Sequence, residues 1–133
     1  MKKVGILHPE LSKAIAIMGH TDRLVVCDAG LPIPVHAERI DLALTEGIPK
    51  FQDVLRIVLS ELEVESAIVA RELSVQNNDF LEKMKELMPD IEISQVPHEQ
   101  FKELSRENGR TIFVRTGETT PYANIILISG VTF

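Results

Sequence analysis

The sequence predicts an α/β protein, a three-layer α/β/α sandwich around a mostly parallel sheet that need not be wholly parallel. Strand-length apolar runs alternate with helix-spaced ones along most of the 133 residues, an order that puts helices on both faces of a sheet. The runs at 24–27 and 66–70 are apolar almost without interruption, as strands covered on both faces are. Hydrophobic residues make up 44% of the chain, enough for one domain over 1–133 with a substantial core.

Pro9 after His8, with Glu10 in the first turn, opens a helix because proline is preset for that position and a carboxylate suits the dipole. Leu11, Ala14, Ile15 and Met18 line one face of it, and Gly19 is expected to stop it in a left-handed conformation. Residues 24–28 then form a short buried strand. Gly30-Leu31-Pro32-Ile33-Pro34 is stiff and extended, and its prolines, lacking a backbone donor, keep it out of a sheet interior. Ile40, Leu42 and Leu44 alternate as in a strand. After the break at Gly47-Ile48-Pro49, the spacing of Phe51, Val54, Leu55, Val58, Leu59 and Leu62 predicts a helix over 51–62. A strand over 66–70, a helix over 76–88, a strand beginning at Ile91 and Ile93, and a helix opening at Pro97-His98-Glu99 follow. Two strands, 111–115 and 123–128, close the chain, joined through Gly117-Glu118-Thr119-Thr120-Pro121.

Composition removes several function classes. The net charge of −6 argues against a sequence-independent grip on nucleic acid or an anionic membrane. No apolar run has the length of a transmembrane helix, and the Met-Lys-Lys start lacks the apolar stretch of a signal peptide. The single cysteine, Cys27, allows no internal disulfide and suits a reducing cytoplasm. Inside an apolar strand it reads as an inert thiol rather than a nucleophile. There is no glycine-rich phosphate loop in the sequence. His8, His20, His36 and His98 show no metal-ligand spacing, so a metal would need a site assembled in space from His20, Asp28 and His98.

The chemistry-bearing residues cluster in a few places. His20, in Gly19-His20-Thr21-Asp22, precedes the first strand, and Asp28, in Asp28-Ala29-Gly30, ends it. Both groups can carry protons in catalysis. Ligands of open α/β sheets gather at the carboxyl ends of strands, where Asp28 lies. The plain alternatives are a histidine satisfied by last-turn helix carbonyls and a turn-forming aspartate bonded to its own backbone. His98 and Lys102 share a helix face, either as part of a site or as a solvated surface. Tyr122 and Asn124, two apart in an extended segment, point to one side. They form a hydroxyl-plus-amide pair suited to reading sugar hydroxyls, or else a capped strand edge.

Taken together, these segments resemble the D-ribose pyranase family, related to the fucose mutarotases. The resemblance rests on Lys3-Val4-Gly5-Ile6-Leu7, Gly19-His20-Thr21-Asp22, Asp28-Ala29-Gly30-Leu31-Pro32-Ile33-Pro34, Phe51-Gln52-Asp53 and Pro97-His98-Glu99-Gln100-Phe101-Lys102. It continues through Arg115-Thr116-Gly117-Glu118 and Pro121-Tyr122-Ala123-Asn124 to Gly130-Val131. These stretches keep their order over nearly the whole chain, with 72–96 the least distinctive part. The resemblance implies a cytoplasmic, cofactor-free and metal-free isomerase that interconverts the six- and five-membered ring forms of D-ribose and its anomers, supplying furanose to ribokinase. It implies His20 as the proton donor, Asp28, His98, Tyr122 and Asn124 as sugar contacts, and Lys102 as a further one. It also implies a homodecamer of two pentameric rings.

Geometry adds a constraint. Residues 23–28, if extended, cover about 17 Å, and a pentose is only about half that long. His20 and Asp28 of one chain would struggle to touch one sugar, so a site shared between neighbouring copies in a ring is the simplest resolution. Two other functions compete with the ribose isomerase: a mutarotase for another sugar such as L-fucose, and a non-catalytic sugar-binding subunit of a transport system.

Overall fold

The computed structural model describes residues 1–107 and 109–133. Its elements run α1 (Pro9–Ile17), β1 (Arg23–Cys27), β2 (Glu38–Asp41), α2 (Phe51–Leu59), β3 (Val64–Ala70), α3 (Arg71–Gln76), α4 (Asn78–Leu87), β4 (Glu92–Val96), α5 (His98–Leu104), β5 (Thr111–Arg115) and β6 (Ile125–Ser129). The six strands form one sheet in the order β2-β5-β1-β6-β3-β4. The β2–β5, β5–β1 and β3–β4 pairs are parallel, and β6 runs antiparallel to both β1 and β3. The expected mixed sheet is therefore parallel on either side of one reversed central strand.

Alternation along β1 shows why helices cover both faces. Leu24 and Val26 point into a large core with Leu11 and Ala14 of α1, Val54 and Leu55 of α2, Leu73 of α3, and Leu81 and Met84 of α4. Val25 and Cys27 point the other way, onto Leu31 and onto Phe101 of α5. Three layers result, the second outer one made of α5 and the proline-stiffened segment after β1. That segment forms no strand, as its prolines require.

Several boundaries differ from expectation for local reasons. α1 ends at Ile17 with Met18 extended, and the left-handed residue is Thr21 (φ 69°), not Gly19. The strand expected through Leu44 stops at Asp41. Beyond it the chain turns, with Thr45 bridged to Ile48. α2 stops at Leu59, and the Ser60 hydroxyl donates back to the Ile57 carbonyl at 2.6 Å. The single helix expected over 76–88 is two. Asn77 (φ −150°, ψ 74°) breaks the chain, and its side chain accepts the Phe80 N–H, capping α4. α3 escaped notice because it spans only six residues and buries only Leu73. The Ile48–Pro49 bond in the turn after β2 is cis.

At Gly117 the fold demands a missing side chain. A Cβ there would overlap the backbone of Thr45 and Ile48, which the loop after β5 must approach closely to bond through Gly47 and Pro49.

Candidate active site

Reversal of β6 brings two different chain ends together. The carboxyl end of β1 lies beside the amino end of β6, because Val26 pairs with Ile125. Asp28 and Asn124 therefore meet just beyond the sheet. The Asp28 backbone N–H donates to Asn124 Oδ1 at 2.9 Å, and Asn124 Nδ2 donates to Asp28 Oδ2 at 2.9 Å. Asp28 Oδ1 accepts the Gly30 N–H at 2.9 Å. Asn124 is 1% exposed, so this clasp replaces water for both amide groups. The turn-forming role weighed for Asp28 is real, and it coexists with a carboxylate turned toward a cavity.

That cavity has a volume of about 210 Å³ and is lined by Asp28, Gly30, Leu31, Gln76, His98, Tyr122 and Asn124, among others. Four of the expected sugar contacts thus share one pocket. Tyr122 reaches it from a left-handed backbone (φ 63°) rather than from the strand expected to start at 123. The Asn124 N–H donates to the Tyr122 carbonyl at 2.8 Å, so the two side chains converge through a tight turn rather than strand alternation. A non-glycine residue held there is strained, and such strain persists where the surroundings fix it. The His98 and Tyr122 rings meet in a T-shaped arrangement, with centroids 5.0 Å apart, and His98 stacks on Phe101. Its backbone N–H donates to both carboxylate oxygens of Glu72, at 2.9 and 3.2 Å. Nδ1 of His98 is buried with no hydrogen-bond partner among the described residues.

Neighbouring loops steady the pocket. Arg115 Nε donates to the Ala29 carbonyl while its Nη1 grips both oxygens of Asp41 at 3.1 Å. The Ala29 N–H donates to the Glu118 carbonyl. Burial pushes the Glu118 carboxyl up. Hydrogen bonds from the Thr120 hydroxyl and from the N–H groups of Thr120, Phe51 and Thr119 outweigh that and hold it below its ordinary value. Cys27, next to Asp28, is raised to about 12 by burial and then by the Asp28 charge, which agrees with an inert thiol.

Two expected residues lie outside this pocket. Lys102 is on α5, and its ammonium bonds Glu99 at 2.6 Å. His20 sits at the other end of β1. It lies beyond Asp22, whose carbonyl accepts the Ser129 N–H, and beside Thr21, whose N–H donates to the Ser129 carbonyl. Its Nε2 is 2.8 Å from Glu65 Oε2, and its side chain is 53% exposed. It is not bonded to last-turn carbonyls of α1. Among the described residues no group of three or more His, Cys, Asp or Glu side chains is arranged to hold a metal ion, so His20, Asp28 and His98 of one chain do not assemble such a site.

Gln76, which lines the pocket, and Glu72, which accepts the His98 N–H behind it, are residues that sequence reasoning missed. Both belong to α3, in the stretch where the chain is least distinctive. A wider groove of about 740 Å³ lies between α1, α2 and the turn after β2, lined largely by apolar residues such as Leu7, Leu42, Leu44 and Ile48. Its polar groups are engaged within the fold: Asp41 by Arg115, the Ser60 hydroxyl by the Ile57 carbonyl and His8 Nδ1 by the Leu11 N–H, so it offers a sugar fewer free partners than the smaller pocket does.

Comparison with known proteins gives a consistent result. The RbsD / FucU transport protein family matches residues 1–132. A D-ribose pyranase of Levilactobacillus brevis is 51% identical over 134 residues, covering 100% of both chains. One of Geobacillus thermodenitrificans is 52% identical, covering 100% of this chain and 99% of its own. The structure of Bacillus subtilis RbsD complexed with D-ribose superposes with a TM-score of 0.94 at 44% identity, covering 100% of each chain.

Proposed function

This chain belongs to the RbsD / FucU transport protein family, and on that premise we propose that it is a D-ribose pyranase. It interconverts the pyranose and furanose forms of D-ribose, together with their anomers. The observation that carries this is the identity of about half its residues, end to end, with proteins of that name. The likeness to a ribose-bound structure supports it.

The reaction asks for little more than positioned proton carriers. A hemiacetal opens when the ring oxygen gains a proton and the anomeric hydroxyl loses one, and the aldehyde recloses through a different hydroxyl. No electrons leave the sugar, so the step needs no redox cofactor. His20 is the proposed acid at the ring oxygen, since an imidazole can give and regain a proton near neutral pH. Asp28, Tyr122, Asn124 and His98 are the proposed sugar contacts. The Asp28 carboxylate accepts hydroxyl protons, the second Nδ2 proton of Asn124 donates, and the Tyr122 hydroxyl does either. Lys102, held by Glu99, is proposed as a rim residue rather than a direct contact.

His20 and the pocket occupy opposite ends of β1, and five extended residues separate them by about 17 Å. We propose that each site combines the pocket of one copy with His20 of a neighbour, in a decamer of two pentameric rings. The exposed apolar Leu7, Leu44 and Ile48 support an assembled form. Among the described residues no helix is long and apolar enough to cross a membrane, and the proposed place of action is the cytoplasm, supplying furanose to ribokinase.

Exchange spectroscopy on D-ribose tests this reading. Protein is expected to speed pyranose–furanose exchange, and His20→Ala to abolish the gain while ribose still binds. Unchanged exchange with wild-type protein would reject the enzyme. Faster exchange of L-fucose than of D-ribose would reject the substrate.

A further inference from the structure

We infer that Glu65 is the positioning residue of the proton donor: it holds the His20 ring through Nε2 and leaves Nδ1 as the nitrogen that meets the sugar. This rests on the proposed ribose reaction. Three independent features of the fold bring the pair together.

The first is the contact itself, Nε2 to Oε2 at 2.8 Å between residues 45 apart in sequence. The second is a break in the β3–β6 ladder. Val64 pairs with Ser129 and Ser66 with Ile128, so Glu65 is the extra residue of a bulge. A bulge re-aims one side chain while the rest of the strand keeps its register. Here it turns a lone carboxylate out of a largely buried strand, whose neighbour Val64 is 7% exposed. The third is clearance. A Cβ on Gly130 would lie 3.2 Å from Glu65 Cβ and 3.3 Å from Glu65 N, closer than most side chains tolerate, so glycine leaves Glu65 its space.

His20 is delivered to the same spot by its own turn. Asp22 Oδ2 accepts the Gly19 N–H at 2.8 Å, and Thr21 takes the left-handed conformation with its N–H on Ser129. Backbone is thereby fixed on both sides of a ring that solvent still reaches, and Glu65 fixes the ring's rotation.

The protons balance. Imidazolium carries one proton on each nitrogen. It gives the Nδ1 proton to the ring oxygen as the bond from that oxygen to C1 breaks, with the electron pair leaving on oxygen. The anomeric hydroxyl gives its proton to a carboxylate or water and becomes the aldehyde oxygen. The imidazole left behind bears its proton on Nε2, already facing Glu65, so neither ring rotation nor tautomer exchange is needed before Nδ1 is reprotonated.

Glu65→Ala and Glu65→Gln in the full-length assembled protein test the inference. Ala is expected to lower kcat about tenfold with KM for ribose unchanged, the pattern of a group acting on the chemical step alone. Gln, whose carbonyl still accepts the Nε2 proton, is expected to recover part of that loss. In proton NMR the His20 Nε2–H resonance should be sharp in wild type and in Gln, and lost to water exchange in Ala. A kcat within twofold of wild type in the Ala variant would overturn the inference. So would equal losses in both variants accompanied by a raised KM or by dissociation of the assembly. If His20→Ala itself keeps full activity, the proposed reaction site fails instead, whatever Glu65 does.

Discussion

Asn124→Ala removes the clasp that presents Asp28. The Asp28 N–H loses its acceptor and Asp28 Oδ2 loses a donor, both at 2.9 Å, in a side chain 1% exposed. An orphaned amide costs about 1 kcal/mol at the low end, and a hydrogen bond to a charged group about 1.5 kcal/mol. The low ends apply because Asp28 itself is only part-buried and water can reach it. A loss of about 2–3 kcal/mol is therefore expected, equivalent to a melting temperature lower by about 8 °C for a chain of this size. Calorimetry at fixed protein concentration measures it, alongside the KM for ribose, which should rise because the carboxylate is no longer held. The two residues act as a pair, so Asp28→Ala combined with Asn124→Ala should cost less than the sum of the single losses. A melting shift below about 2 °C, or strict additivity of the two substitutions, would refute the clasp.

Three further outcomes follow from the same geometry. With the Cys27 thiol raised to about 12, on the order of one in ten thousand thiols is ionised at pH 8. A thiol reagent should leave the native protein unlabelled yet react at once in guanidinium, and fast native labelling would contradict the burial. Glu118 has a depressed pKa in the fold, so its stabilising contribution is full above the unfolded carboxylate range and fades as pH falls through the folded value. Glu118→Gln should lower stability at pH 7 and flatten the acid-side loss, as seen in denaturation midpoints between pH 3 and 7. Lys102→Ala should leave the KM for ribose within about twofold, because its ammonium is engaged by Glu99. A tenfold rise would put Lys102 on the sugar.

The sheet and its two covers were legible because the signal is periodic and strong. The apolar run before Asp28 could only be a buried strand, and the prolines at 32 and 34 could only lie outside the ladder. Short-range competition was not legible. α3 has one buried anchor, Leu73, too few for a period, and the break at Asn77 depends on a side-chain cap. At the site, Asp28, His98, Tyr122 and Asn124 were named from residue type and resemblance, but the turn that brings Tyr122 and Asn124 together needs a left-handed tyrosine, which no local pattern announces. Glu65 carried a faint signal as the one charged residue within the run Val64–Ala70. Its meaning depends on a bulge against β6, sixty residues away in sequence, and single-strand patterns do not encode register.

The proposed division of the site between copies is tested most directly by mixing His20→Ala and Asp28→Ala chains, each expected to be inactive alone, through unfolding and co-assembly. If every site takes its acid from one chain and its pocket from a neighbour, an equal mixture should restore about a quarter of the sites, and with them about that share of wild-type pyranose–furanose exchange. An absence of recovery at every mixing ratio, with the mixed assembly intact by sedimentation, would contradict it and return His20 and the pocket to a single chain.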